Sequence, residues 1–249
     1  MISFSGKTVV ITGAAGGIGA ATARLMHSHG ACLVLADAQA APLEALRDTL
    51  CGSPGGDTAR LHCVTVDVAD EASCSAMAQA ASDRFGGIDH LVHAAGVFPE
   101  VPIERMTLDQ WQQLMRVNSD GTFLACRAVL PHLRDDSSIV TIASIAASRG
   151  SAVNAHYCAS KGAVLSFTRS LALALAPRTR VNTVSPGIIA TGMTEALRET
   201  RGARLLASTP MGRFGTGDDV AGAIAFLCSP LAGFVTGENL QVNGGILFD

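Results

Sequence analysis

The single tyrosine of this 249-residue chain, Tyr157, stands four positions before Lys161 in the segment YCASK. Residues four apart on a helix lie one above the other, so phenol and ammonium would face the same space. A free phenol with a pKa of about 10 is only ~0.1% ionised at pH 7 and makes a poor base. An ammonium a few ångströms away favours the phenolate, and each unit of depression corresponds to about 1.4 kcal/mol. Such a couple suits proton exchange with an oxygen at neutral pH, as the interconversion of alcohol and carbonyl requires. The plain alternative is an aromatic and a charge that share a helix face. Ser144, thirteen positions before the tyrosine, closes the β-rich run SIVTIAS. Its hydroxyl can bond the same substrate oxygen as the phenol, or it can cap a turn. Asn118 falls inside a helical stretch, where asparagine is locally unfavourable and needs a reason.

A second constellation lies near the N-terminus. The segment TGAAGGIG contributes Thr12, Gly13, Gly16, Gly17, Ile18 and Gly19, follows a strand candidate and opens a helix. Glycines there permit a tight turn and let backbone approach a pyrophosphate, whose charge a helix N-terminus stabilises. The next strand candidate, CLVLAD, ends in Asp37. A carboxylate at that distance accepts hydrogen bonds from adenosine ribose hydroxyls and repels a 2′-phosphate. Gly16 in the turn and the run AQAA after Asp37 offer no basic side chain to neutralise such a phosphate. The cofactor expected is therefore NAD(H) rather than NADP(H).

These residues need a scaffold. Short apolar runs (KTVVITG, CLVLAD, LHCVTVDV, HLVHAAG, SIVTIAS, RVNTVSPG and NLQVNGG) alternate with helical patterns over 18–29, 42–50, 70–85, 108–133, 156–175 and 218–228. Near-continuous apolar strands belong to parallel sheets covered on both faces, and the alternation implies right-handed crossovers. The fold class expected is α/β: one Rossmann-type, doubly wound parallel sheet of about seven strands with helices on both faces. No linker divides the chain, so residues 1–249 read as a single domain. In such sheets ligands collect at the carboxyl ends of the strands.

Composition narrows the partners. The chain is 48% hydrophobic and 16% charged, with net charge −3 and no basic run, which argues against nucleic acid and against an anionic membrane surface. No apolar run is long enough for a membrane span, and MISFSGKTVVITG lacks the pattern of a signal peptide. Seven cysteines, odd in number and without a CxxC pair, read as small buried hydrophobes in a reducing compartment. The location expected is cytoplasmic. The seven histidines show no metal-ligand spacing, so no metal is expected.

From end to end the chain resembles the short-chain dehydrogenase/reductases. The resemblance rests on Thr12-Gly13, Gly17-Ile18-Gly19, Asp67-Val68, Ala94-Ala95-Gly96, Asn118, Ser144, Tyr157 with Lys161, Pro186-Gly187, Thr191 and the terminal VNGG. It implies Tyr157 as general acid/base, with Lys161 lowering its pKa and holding the nicotinamide ribose, Ser144 positioning the substrate oxygen, and Asn118 supporting a proton-relay water. Asp67 and Val68 would serve the adenine site, Ala94–Gly96 the cofactor side of the fourth strand, and Pro186, Gly187, Ile189 and Thr191 the nicotinamide. His93 departs from the pattern, since many relatives carry asparagine there. A buried, hydrogen-bonded imidazole is expected, and titration near neutrality would make cofactor binding pH-sensitive.

The same resemblance implies a mobile lid over about 188–214, and the first reading of the substrate is a secondary alcohol, polyol or cyclic alcohol, or the matching ketone. Met193, Leu197, Leu205, Leu206 and Met211 favour an apolar ketone or acyl chain over a phosphorylated sugar. The ending from PMGRFG onward looks like bacterial 3-oxoacyl-[acyl-carrier-protein] reductases, the second reading. Against it stand Asp37, the segment LRDDSS, whose one arginine is followed by two aspartates, and SLALALAP, which holds no basic residue where an acidic carrier protein would need them. A third reading, an NAD(H)-binding regulator without turnover, would be marked by a damaged Ser-Tyr-Lys set, and this chain keeps every member. The apolar helix AVLSFTRSLALALA and the terminal LQVNGGILF point, with the family, to a homotetramer.

Overall fold

The computed structural model describes residues 2–52 and 58–248, so residues 1, 53–57 and 249 of the expected domain lie outside the described part. The strands are β1 (Thr8–Thr12), β2 (Cys32–Asp37), β3 (Leu61–Thr65), β4 (Ile88–His93), β5 (Leu133–Ile142), β6 (Thr179–Pro186) and β7 (Asn239–Val242). They form one sheet in the order β3-β2-β1-β4-β5-β6-β7, and every pairing is parallel. The helices are α1 (Gly17–Ser28), α2 (Ala40–Leu50), α3 (Glu71–Phe85), α4 (Leu108–Met115), α5 (Gly121–Val129), α6 (Ala146–Arg149), α7 (Ala155–Leu175), α8 (Glu195–Ala207) and α9 (Gly217–Cys228).

Successive side chains on a strand point to opposite faces, which explains why these strands are apolar throughout. Val9 and Ile11 of β1, with Leu33 and Leu35 of β2, pack into one core beside Ala23 and Met26 of α1, Leu43 of α2 and Ile224 of α9. Val10, Val34 and Ala36 face the other core, with Met77 of α3, Ala125 and Val129 of α5 and Ala172 of α7. Neither face is left to water, so no polar alternation appears. Local chemistry sets the helix limits. Asp70 accepts the amide of Ser73 to start α3, and Gly86 (φ 73°) ends it in the left-handed region. Thr107 and Gln110 start α4 as a reciprocal capping box.

Two stretches differ from the sequence reading. The single helix expected over 108–133 is α4 and α5 joined by a π turn at Arg116–Asp120, and Leu133 already belongs to β5. Pro131 sits in the 3-10 turn after α5, where its missing amide donor and fixed φ stop the helix. The segment read only as a lid contains a 13-residue helix, α8.

The chain reverses direction across the sheet between β1 and β4, which are neighbours. A crevice therefore opens beyond their carboxyl ends.

Candidate active site

The two strands at this crevice are tied together at their tips. The Thr12 hydroxyl and His93 Nδ1 are 2.9 Å apart, and the Ala94 amide donates to the Thr12 carbonyl at 3.1 Å. Gly13 follows at φ +64°, and a Cβ there would lie 2.6 Å from the Ala95 amide nitrogen. At Gly19 a Cβ would come within 2.1 Å of the Gly13 carbonyl oxygen, so α1 sits directly against the turn. The N-cap of α1 is Gly16, with no side-chain cap and no acidic residue in the first turn. The first amides of a helix have no intrahelical acceptor, and their dipole favours an anion. This cradle of bare backbone fits a pyrophosphate. Asp37 ends β2 beside it, its carboxylate accepting the amides of Ala15 (3.0 Å) and Gln39 (3.2 Å). Ile18 is half-buried and packs on the adjacent core.

The other predicted cofactor residues gather around the same crevice. Asp67 lies two residues beyond β3 and turns its carboxylate to the Ala69 amide at 2.9 Å. Val68 is buried, and Gly121 lets α5 approach it, since a Cβ there would be 2.9 Å from Val68 Cγ2. Pro186 ends β6, and Gly187 is pressed against Asn243, leaving no room for a side chain. Ile189 is buried, and Thr191 closes over the glycine turn so tightly that a Cβ on Gly17 would meet its Cγ2 at 2.3 Å. Gly96 likewise lets the end of β4 approach both Asn118 Oδ1 (3.2 Å from an added Cβ) and Lys161 Nζ (3.6 Å).

Asn118 is fully buried in the π turn, a local irregularity that recurs at functional sites. Its amide oxygen accepts from the Val97 amide at 2.9 Å, and its Nδ2 donates to the Val97 carbonyl (3.0 Å) and to Ser160 Oγ (3.2 Å). It thereby clamps the segment after β4 to α7. Tyr157 and Lys161 occupy successive turns of α7, and Lys161 Nζ lies 5.8 Å from the phenol ring centroid while donating to the Ile142 carbonyl at 2.7 Å. Ser144 stands two residues past the end of β5. It accepts the Ala146 amide at 3.1 Å and also hydrogen-bonds Tyr157, so it plays the cap and faces the phenol at once.

Burial governs the charges. It pushes the Tyr157 phenol up to about 12, against a smaller lowering by Ser144. The depression expected from Lys161 is thus reversed in the chain by itself, because desolvation outweighs an ammonium that is directed at a backbone carbonyl. Desolvation also brings Lys161 down to about 8. At this group the unfolded chain binds more protons than the folded one between about pH 8 and pH 10.5, so the contribution of Lys161 to stability rises with pH across that window. Below it the buried charge costs about 3 kcal/mol. Lys161→Met removes that cost and forfeits one hydrogen bond of about 1 kcal/mol. The variant should be roughly 2 kcal/mol more stable than wild type at pH 7 in urea titrations, with the advantage gone above about pH 10.5. An advantage that did not shrink with pH would contradict this account. His93 is buried and hydrogen-bonded as expected, but burial, aided by Lys161, drives it down to about 3. It stays neutral at physiological pH, so the expected pH-sensitive cofactor binding through His93 does not hold.

A cavity of about 570 Å³ opens over Tyr157 and Ser144. Phe98 forms one wall, its ring edge-on to the Tyr157 ring at 4.7 Å. Met193, Leu197 and Leu205 cover it from the lid segment. Leu206 is not among its lining residues, and Met211 lines a different hollow of about 890 Å³ along β7. Arg149, Arg201 and Arg204 also line the active-site cavity. Basic side chains at the cavity come from α6 and α8 rather than from LRDDSS or SLALALAP.

The model of a family described as enoyl-(acyl carrier protein) reductase matches residues 13–247. A solved short-chain dehydrogenase/reductase from Brucella melitensis, described as a glucose/ribitol dehydrogenase, is 47% identical, superposes with a TM-score of 0.96 and matches 100% of this chain and 99% of its own. This chain belongs to the short-chain dehydrogenase/reductase family. It is similar to the 3-oxoacyl-[acyl-carrier-protein] reductase FabG of Vibrio cholerae, 36% identical over 98% of this chain and 99% of that protein. It is also similar to the D-threitol dehydrogenase of Mycolicibacterium smegmatis, 38% identical over 96% of this chain and 92% of that protein. As a short-chain dehydrogenase/reductase it is an oxidoreductase of CH–OH groups that works with a nicotinamide cofactor. Among the described residues no helix is long and apolar enough to cross a membrane. Phe98 and Arg149 fall in the segments 97–106 and 146–156, and Arg201 and Arg204 in the lid, all of which the sequence points to as substrate-pocket walls, but it singles out none of the four; Ser160 it does not mark at all.

Proposed function

We propose that this short-chain dehydrogenase/reductase transfers a hydride between NAD(H) and a secondary alcohol or ketone, with Tyr157 as general acid/base. The observation that carries the reading is one cavity holding the Tyr157 phenol and Ser144, at the strand ends beside a glycine cradle that ends on Asp37. The nicotinamide supplies the hydride in reduction and accepts it in oxidation. Tyr157, protonated through the neutral range, delivers a proton to the forming alkoxide, and in the reverse direction its phenolate takes the alcohol proton. Ser144 holds the oxygen beside the phenol. Lys161 supplies positive charge beneath the phenol, and Asn118 fixes the backbone that walls the site. Phe98 and the lid residues exclude water from the reacting carbon. The Brucella and Mycolicibacterium relatives, described as acting on ribitol or glucose and on D-threitol, favour a polyol-type substrate.

Asp37 carries the cofactor choice. Asp37→Ala removes the acceptor for ribose hydroxyls and the repulsion of a 2′-phosphate. The ratio of kcat/KM for NAD⁺ over NADP⁺ should fall roughly 10–100-fold, the value of one or two hydrogen bonds to a charged group. A wild-type enzyme that already prefers NADP⁺ would overturn the assignment.

A second reading, reduction of a β-ketoacyl thioester, is favoured by the Vibrio FabG likeness and the arginines at the cavity. Turnover of acetoacetyl-coenzyme A would select it. We also read the chain as one domain with a closing lid over about 188–214, acting in the cytoplasm as a homotetramer. Support comes from the buried thiols of Cys74, Cys126 and Cys228, from strongly exposed Leu173, Phe234 and Phe248, and from the open edge of the sheet at β7.

A further inference from the structure

We propose that the substrate of this site carries an oxyanion group, a carboxylate or a phosphate, received by Arg149 and Arg204 at the mouth of the cavity. The proposal rests on the reading above that the cavity over Tyr157 is where the reacting carbonyl binds.

Leu197, Arg201, Arg204 and Leu205 fall at i, i+4, i+7 and i+8 of α8, the spacing of a single helix face. All four line the cavity, so that face points at the substrate space. An apolar lid would need leucines at those positions; this one alternates them with guanidinium groups. Arg201 is engaged, since it pairs with Glu100 and ties α8 to the segment after β4. Arg149 at the end of α6 and Arg204 on α8 make no ion pair among the described residues, yet both line the same cavity as Tyr157. With Glu100 the only acid in the lining, the cavity holds an excess of two positive charges in a chain whose net charge is −3.

Arg149 and Arg204, from separate elements, are exposed while Tyr157 is buried and Ser144 half-buried, and this gradient defines a polarity. The carbonyl binds at the bottom, an apolar stretch of substrate passes Leu197 and Leu205, and an anion sits at the rim. Guanidinium is permanently charged and its planar fork matches carboxylate and phosphate oxygens. The proposal departs from the expectation of an apolar ketone or acyl chain. A polyol or ketone without such an anion would leave both cations without use.

Matched substrates test the idea: acetoacetate against methyl acetoacetate, and dihydroxyacetone phosphate against dihydroxyacetone, each with NADH. In at least one pair kcat/KM for the anion should exceed that for its neutral partner by about tenfold or more, mainly through KM. In the double variant Arg149→Gln/Arg204→Gln that ratio should fall to near one, and Arg149→Lys/Arg204→Lys should restore part of it. The responding pair tells carboxylate from phosphate. A ratio near one for wild type in both pairs, or a ratio the Gln variant leaves intact, would overturn the proposal. If nothing is reduced, the reaction assignment fails on its own. Calorimetric titration of acetoacetate and of inorganic phosphate then decides the present point. Binding to wild type that weakens about tenfold in the Gln variant supports it; equal binding, or none, overturns it.

Discussion

Tyr157→Phe should lower kcat by about 10³-fold while leaving NADH affinity within about twofold, because general acid/base groups typically contribute 10²–10⁴-fold. The substitution removes one oxygen from a ring whose position is otherwise secured. That ring is 9% exposed and packs edge-on against Phe98, and phenylalanine keeps both contacts. Ser144 retains the Ala146 amide, so the variant does not strand it. Loss of the phenol therefore isolates proton transfer from fold and binding. Steady-state rates and a fluorescence titration with NADH measure the two quantities separately. Retention of more than about a tenth of wild-type kcat would remove Tyr157 from the chemistry.

Gly13→Ala should be nearly as damaging by a different route. Alanine in the left-handed region costs roughly 1–2 kcal/mol, and here φ is +64°. In addition, the new Cβ would stand 2.6 Å from the Ala95 amide nitrogen and 2.7 Å from the Ala94 carbonyl carbon, all of it backbone that cannot rotate away. The turn must shift, and with it Thr12, its contact to His93 and the start of α1. Cofactor affinity should fall at least about 100-fold and the melting temperature by several degrees, since ~1 kcal/mol moves a domain of this size by 2–4 °C. Gly222→Ala serves as the contrast. Gly222 is exposed within α9 with nothing near its missing Cβ, so alanine should stabilise by up to about 1 kcal/mol. Thermal melts and NADH titrations of the two variants side by side check this. Equal effects would show that the close approach at Gly13 is not what the turn depends on.

What could be read from sequence followed from how each feature is encoded. The strands were visible because both faces of each are buried, so Val9, Val10 and Ile11 are all apolar whichever core they serve. The fold class followed directly. Tyr157 and Lys161 were visible because a single helix spaces them, and Asp37 because it ends a strand. Asn118 announced itself as a misfit, and the π turn is the structural counterpart of that misfit. Less was legible where tertiary burial decides the outcome. His93 and Tyr157 titrate far from their free values because of what surrounds them, which no local pattern records. Phe98 meets Tyr157 across almost sixty residues. The lid helix mixes leucines and arginines along one face, so it reads as charged loop until the cavity it covers is known. Leu206 and Met211 fit the same apolar description as Leu197, yet neither reaches the cavity.

The central claim is that the chain reduces a carbonyl with NADH through Tyr157. The decisive measurement follows NADH oxidation spectrophotometrically against acetoacetyl-coenzyme A and a panel of polyol-derived and simple ketones, with NADPH in parallel. The account predicts NADH-dependent turnover of at least one ketone, with NADPH the weaker donor. NADH binding without turnover of any carbonyl would contradict the catalytic reading, and turnover with NADPH alone would contradict the role given to Asp37.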